Sequence, residues 1–124
     1  MAKVLVIDDD AGIRNLLVSM LEKAGHSVAV AKDGRQGLAT YGEFHPDLVI
    51  CDIIMPEMEG IETIVNLKKI NPEGPILAIS GGGADSPVPY LEMAKKMGAD
   101  KVLDKPILHE TLTEMVNDLL GPAG

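Results

Sequence analysis

The chain has 124 residues, enough for one domain with a buried core and too few for two domains of ordinary size. Its net charge of −8 argues against a nucleic-acid or anionic-membrane surface, since both need a basic face. Aromatic residues make up 2% of the chain and cysteine occurs once, so we expect an aliphatic core with neither an internal disulfide nor a cysteine-rich zinc site.

Hydrophobic periodicity predicts five strands that alternate with five helices. In chain order these are a strand at 4–7, a helix at 13–24, a strand at 27–31, a helix at 34–44, a strand at 48–51, a helix at 60–70, a strand at 76–79, a helix at 90–97, a strand at 102–103 and a last helix that spans 112–119. In the helix at 90–97, Leu91, Ala94 and Met97 are expected to face the core. Alternating strands and helices are typical of βαβ units. The predicted fold class is therefore α/β, with a doubly wound, five-stranded parallel sheet.

The ends of the chain carry no sign of export or of a further domain. The sequence has neither a secretory segment nor an apolar run of 18 residues, so we expect a cytoplasmic protein without a membrane span. Because the chain stops soon after the fifth helix, residues 1–124 are expected to form a single domain without an effector domain.

Polar residues follow four of the predicted strands at their carboxyl ends. They are Asp8 with Asp9, then Asp52, Ser80 and Lys105. Because the carboxyl ends of parallel strands lie along one edge of a sheet, we expect these side chains to meet there. Taken alone, each has a structural explanation: the aspartates after the first strand can cap a helix, and Asp52 can begin a turn. Their coincidence at four strand ends favours a functional site.

Three carboxylates in one cleft repel one another. At about 4 Å and an effective dielectric near 20, each like-charge pair costs about 4 kcal/mol. A set of oxygen ligands without histidine or cysteine favours Mg²⁺ over zinc. With Lys105 as a second positive charge and the Ser80 hydroxyl as a hydrogen-bond donor, Asp52 is suited to attack a phosphoryl group and form an aspartyl phosphate.

Four segments together resemble a known family. They are VLVIDDD at 4–10, DLVICDIIMPEMEG at 47–60, ILAISGGG at 76–83 and VLDKP at 102–106. With these segments in this order, the chain resembles the receiver domain of two-component response regulators, in its stand-alone, chemotaxis-type form. The resemblance implies a flavodoxin-like sheet of order 2-1-3-4-5 and a phosphoprotein that acts in phosphorelay signal transduction.

The resemblance implies a role for each of the acidic residues. Asp52 matches the phosphoacceptor. Mg²⁺ is the implied cofactor, with Asp9, Asp52 and the backbone carbonyl of Ile54 as its protein ligands and with Asp8 bound through water.

The other strand ends match further parts of the family's site. Ser80 matches the hydroxyl residue that turns toward the phosphoryl group, and Lys105 matches the lysine that pairs with that group. The Lys105–Pro106 peptide bond is expected to be cis, and the small Gly81 would leave room for the phosphoryl donor.

The implied partners are proteins. A sensor histidine kinase or a histidine phosphotransfer protein would supply the phosphoryl group, and a downstream protein would bind the face of the fourth helix, fifth strand and fifth helix. A phosphorylation-dependent dimer is compatible with this reading, whereas DNA and membrane partners are not expected. The protein would promote only its own phosphorylation and dephosphorylation, so we do not expect an enzyme with outside substrates.

The sequence departs from the family's pattern in three places. The switch aromatic on the fifth strand is replaced by Val102, so coupling to the output face must use another element or be weaker. Ile54 and Gly82 cannot orient an attacking water, which predicts slow hydrolysis of the phosphorylated form. The loop at 81–89 is a little longer than usual and is either a mobile switch segment, which we favour, or only a spacer.

Two other functions are compatible with parts of the sequence. A Mg²⁺-dependent phosphatase with an aspartyl nucleophile usually needs a second acid two residues after it, and that position is Ile54. A flavodoxin-like cofactor binder would use the glycines at 81–83 for phosphate, but almost no aromatic residues are present to stack on a flavin.

Overall fold

The computed structural model describes residues 2–53, 59–80 and 90–121. In these residues five strands alternate with five helices, as the periodicity predicts. In chain order the elements are β1 (Lys3–Ile7), α1 (Ala11–Lys23), β2 (Ser27–Ala31), α2 (Gly34–Phe44), β3 (Leu48–Asp52), α3 (Glu59–Ile70), β4 (Ile76–Ser80), α4 (Tyr90–Met97), β5 (Lys101–Asp104) and α5 (His109–Leu120).

The five strands form one parallel sheet of order β2-β1-β3-β4-β5, which confirms the predicted fold class. β3 and β4 each extend one residue beyond the predicted strand, so that Asp52 and Ser80 are the last residues of their strands. The backbone ladder continues past both of them, because Ile53 N donates to Ile79 O at 2.9 Å and Lys105 N donates to Ser80 O at 2.9 Å. Both side chains are therefore held on ordered backbone at the sheet's carboxyl edge.

Both faces of the sheet are buried. Along β1, Leu5 and Ile7 face a core formed with α2, α3 and α4, whereas Val4 and Val6 face a second core formed with α1 and α5. All four side chains have 0% of their surface exposed. This two-sided burial explains why the strands read as continuous apolar runs and do not alternate with polar residues.

The helices begin at side-chain caps where the sequence supplies aspartate. Asp10 Oδ1 accepts hydrogen bonds from Gly12 N at 2.8 Å and Ile13 N at 3.3 Å, and Asp33 Oδ1 accepts one from Gln36 N at 2.8 Å. These bonds satisfy amide groups that have no partner inside the helix.

The predicted inward face of α4 is only partly correct. Ala94 is fully buried, but Met97 exposes 43% of its surface, so the prediction that Met97 faces the core was wrong. The side chain of Leu91 lies outside the described residues. In the part of the chain that the structure describes, none of the helices combines the length and apolar character needed to cross a bilayer.

Candidate functional site

The carboxyl edge of the sheet brings together the polar residues that follow the strands. Asp8 comes directly after β1, Asp52 ends β3, Ser80 ends β4 and Lys105 comes directly after β5. Since β1 pairs with β3, β3 with β4 and β4 with β5, these ends lie side by side. Residues almost a hundred positions apart thus reach one site because of strand order alone.

Lys105 lies between two buried carboxylates. Its Nζ atom is 3.5 Å from Asp8 Oδ2 and 3.5 Å from Asp52 Oδ2. The carboxylate side chains expose only 1% and 3% of their surface, and the lysine side chain exposes 20%. A buried charge is costly unless an opposite charge meets it, so the shared ammonium group stabilises both acids.

Asp8, Asp9 and Asp52 form an acidic cluster. One carboxylate oxygen from each residue can be chosen so that all three lie within 4.8 Å of one another. Asp8 and Asp52 are buried, whereas Asp9 is exposed. A cluster of this charge and spacing offers the oxygen ligands that hard divalent cations prefer.

The two oxygens of Asp8 have different surroundings. Oδ1 accepts a hydrogen bond from Asp10 N at 2.9 Å. Oδ2 is buried and has no hydrogen-bond partner among the described residues, since its 3.5 Å separation from Lys105 exceeds the usual length of a charge-assisted bond. A buried carboxylate oxygen left in this way fits a site that a hydrated cation completes, so the residues present suit Mg²⁺.

The remaining predicted site residues are placed as follows. Ser80 is 4% exposed, and the Lys105–Pro106 peptide bond is cis, as expected. Ile54, Gly81 and Gly82 lie outside the described residues, as does the loop at 81–89.

Two residues near the site were not singled out from the sequence. Gly60 lies where a Cβ atom would meet Asp52 O and would lie 2.5 Å from Ile53 Cα, so only glycine allows α3 to begin so close to the end of β3. Arg14 on α1 donates from Nη1 to Asp8 O at 2.7 Å. Sequence alone gives only weak signals for these two roles. Gly60 is one glycine after a strand and a loop, and Arg14 is one arginine a helical turn after an acidic run.

Comparison with known proteins identifies the family. The family model described as the response regulator receiver domain matches residues 4–117. The chain belongs to the receiver domain family. In this receiver domain the strand-end residues Asp8, Asp52, Ser80 and Lys105 lie along one edge of the sheet.

Relatives of the receiver domain occur both as short proteins and within longer ones. The chain is 39% identical to the chemotaxis protein CheY of Thermotoga maritima, covering 93% of this chain and 94% of that protein. It is 32% identical to the transcriptional regulatory protein GlrR of Escherichia coli K12, covering 96% of this chain but 26% of that protein. Among solved structures, a response regulator receiver domain protein from Clostridium thermocellum superposes with a TM-score of 0.87 at 31% identity, covering 97% of this chain and 94% of that one.

Proposed function

We propose that this receiver domain is a phosphorylation-activated switch that accepts a phosphoryl group on Asp52. The observation that supports this best is the position of Lys105, whose ammonium group is 3.5 Å from carboxylate oxygens of both Asp8 and Asp52. A cation held between buried acids is available to pair with the negative charge that a phosphoryl group brings. An ordinary structural ion pair would not need the third carboxylate of Asp9 nearby.

Mg²⁺ is the proposed cofactor. Asp9 and Asp52 would hold the ion directly, together with the Ile54 backbone carbonyl, and Asp8 would hold it through water. When bound, the ion offsets the negative charge of the carboxylates and of the incoming phosphoryl oxygens. The buried Oδ2 atom of Asp8, which has no hydrogen-bond partner in the described part of the chain, supports this assignment.

The proposed reaction is phosphoryl transfer from a phosphohistidine. An oxygen of Asp52 attacks phosphorus, and the new O–P bond forms as the P–N bond breaks. The imidazole leaves with the electron pair and takes up a proton. Lys105 pairs with the phosphoryl oxygens, and the Ser80 hydroxyl donates a hydrogen bond to one of them. Water later hydrolyses the aspartyl phosphate, so the domain processes only its own phosphoryl group and has no outside substrate.

The proposed partners act before and after this phosphoryl transfer. A sensor histidine kinase or a histidine phosphotransfer protein supplies the phosphoryl group in the cytoplasm, and a downstream protein or a second copy of the domain binds the face of α4, β5 and α5. To shift the domain from 1:99 to 99:1, phosphorylation must favour the active state by about 5.5 kcal/mol. New charge-assisted hydrogen bonds to Lys105 and Ser80 are the proposed source of this free energy.

Phosphorylation by a small donor tests the proposal without a partner protein. The domain is incubated with acetyl phosphate and Mg²⁺, and its intact mass is measured. We expect a gain of one phosphoryl group, which is absent when Mg²⁺ is chelated and absent in Asp52→Asn. Asp118→Asn is the matched control because it removes the same charge from α5 at an exposed site. Equal phosphorylation of Asp52→Asn would contradict the assignment of the acceptor.

A further inference from the structure

The side chain of Arg14 folds back from α1 onto the turn that carries the acidic cluster. Its Nη1 atom donates to the backbone carbonyl of Asp8 at 2.7 Å, in a partly buried position. This bond is short and charge-assisted, and bonds of that kind are about twice as strong as neutral ones. Arg14 is therefore tied to the backbone of the acidic turn.

The bonded carbonyl belongs to the peptide group that joins Asp8 to Asp9. The same turn is held at Asp8 N, which donates to Ala31 O at 3.1 Å, and at Asp8 Oδ1, which accepts from Asp10 N at 2.9 Å. With Arg14 on the carbonyl, the peptide plane that precedes Asp9 has a fixed orientation. The direction in which the Asp9 side chain leaves the backbone follows from that orientation.

Asp9 has more need of this support than the other two acids. Asp8 and Asp52 are buried and lie beside Lys105, so packing and charge both restrain them. Asp9 is exposed, and its backbone is the main restraint on where its carboxylate points. Free rotation of the peptide group before Asp9 would let this ligand leave the cluster.

We propose that Arg14 is a positioning residue that holds the Asp8–Asp9 peptide so that Asp9 is presented to the divalent cation. This inference rests on the magnesium site of the proposed function and adds a residue to it. Residues that orient metal ligands from behind typically change metal affinity by about 10–100-fold when they are replaced. Arg14 would orient Asp9 through the backbone carbonyl of Asp8, and it is placed to contact neither the acceptor nor the phosphoryl group.

The positive charge of Arg14 by itself would weaken cation binding, whereas its positioning of Asp9 would strengthen it. This difference makes the proposal testable. If Arg14 acted only as a nearby positive charge, its removal would strengthen Mg²⁺ binding, because two cations repel. If Arg14 positions Asp9, its removal weakens binding. The sign of the change in affinity therefore distinguishes the two roles.

The experiment measures Mg²⁺ affinity from the backbone amide shifts of residues 8–10 in a titration with MgCl₂ alone. We expect Arg14→Met to weaken binding about tenfold and Arg14→Lys, which keeps the charge and one donor, to weaken it less. Lys23→Met is the control, because it removes one positive charge from the last turn of the same helix and should leave the affinity unchanged. Unchanged or tighter binding by Arg14→Met would overturn the proposal.

Phosphorylation supplies a second readout that loss of stability alone would not produce. The deficit of Arg14→Met in its rate of phosphorylation by acetyl phosphate should disappear as Mg²⁺ is raised to saturation. A deficit that persists at saturation would also overturn the proposal. If Arg14→Met fails to fold, as judged by circular dichroism, the same two measurements on Arg14→Lys decide. Failure of the wild-type domain to bind Mg²⁺ would instead count against the proposed function, so the two hypotheses fail in different ways.

Discussion

Replacing Asp52 by asparagine is expected to stabilise the metal-free domain while it removes most of the response to Mg²⁺. Asparagine has nearly the same shape and keeps one oxygen as an acceptor, so the substitution changes mainly charge. The wild-type carboxylate is 3% exposed and lies in a cluster with Asp8 and Asp9. Its loss therefore alters four contributions at once: repulsion by Asp8, repulsion by Asp9, attraction to Lys105 and desolvation of the carboxylate.

The distances in the site give the size of two of these contributions. Carboxylate oxygens of Asp52 and the buried Asp8 lie no more than 4.8 Å apart, so at an effective dielectric of about 20 the two charges repel by at least about 3.5 kcal/mol. The attraction to Lys105 at 3.5 Å is about 4.7 kcal/mol on the same basis, so it exceeds that repulsion by at most about 1.2 kcal/mol. We expect repulsion by the exposed Asp9, discounted for solvent screening, and the desolvation of the Asp52 carboxylate to outweigh this difference. The metal-free variant should gain about 1–3 kcal/mol as a result.

Urea unfolding, followed by far-UV circular dichroism, measures this change. In EDTA, Asp52→Asn should unfold at a higher urea concentration than the wild type. With Mg²⁺ at about a hundred times its dissociation constant, the wild type should gain about 2.7 kcal/mol and the variant much less. Asp118→Asn is again the control and should follow the wild type in both conditions. If Asp52→Asn were less stable than the wild type in EDTA, like-charge repulsion and desolvation would not dominate the site, and the reasoning would be refuted.

Four further substitutions test packing and charge, beside the site at Gly60 and elsewhere in the domain at Gly42, Lys68 and His26. Gly60→Ala should destabilise the fold by about 1–3 kcal/mol in urea, since its Cβ would meet backbone atoms of Asp52 and Ile53. Gly42→Ala in α2, where a Cβ has open space, is the control and should stabilise the fold by about 0.5–1 kcal/mol. A similar gain from Gly60→Ala would contradict the close approach of Gly60 to the end of β3. Lys68→Met should cost about 1–3 kcal/mol in the same assay, because Lys68 Nζ donates to Gly74 O and Asp100 Oδ2, both at 2.9 Å; no loss would mean that solvent replaces both bonds. Burial, followed by repulsion from the charged N-terminus, lowers the pKa of His26 from 6.5, so the folded state binds its proton less readily than the unfolded state. The contribution of His26 to folding stability is complete above pH 6.5 and is lost as the pH falls through its lowered pKa in the folded state. His26→Gln should therefore flatten the pH dependence of stability in that window. An unchanged slope would assign the dependence to other groups.

The fold was predictable because burial on both faces leaves a clear pattern in the sequence. Short apolar runs that end at breakers, such as residues 4–7, indicate central strands of a covered sheet, since a half-exposed strand would alternate with polar residues. Met97 shows where the same reasoning fails. Steps of three residues advance 300° around a helix, so the third member of such a series has moved well away from the first. At the end of α4 this drift carries Met97 out to solvent, where it exposes 43% of its surface.

The acidic site was predictable in its members but not in its internal geometry. The strand ends pointed to Asp8, Asp52 and Lys105 because parallel strands share one carboxyl edge. The burial of Asp8 beside an exposed Asp9 depends on the backbone path after β1, which neighbouring identical residues do not reveal. The contact between Arg14 and a backbone carbonyl is likewise invisible in sequence, because a carbonyl is present at every position.

Val102 stands where the resemblance implies an aromatic, so in the proposed function the coupling of Asp52 to the face of α4, β5 and α5 must use another element or be weaker. The fold bears on the first of these alternatives. Two features of the fold limit which element this can be. The carboxyl end of α4 is fixed, since Asp100 Oδ2 accepts from both Lys68 Nζ at 2.9 Å and Ile76 N at 2.8 Å. The backbone of β5 is tied to the site, since Lys105 N donates to Ser80 O at 2.9 Å. A rearrangement of Ser80 and Lys105 would therefore act on β5 directly and on α4 from its amino end, because the carboxyl end of α4 is anchored to β4 and α3.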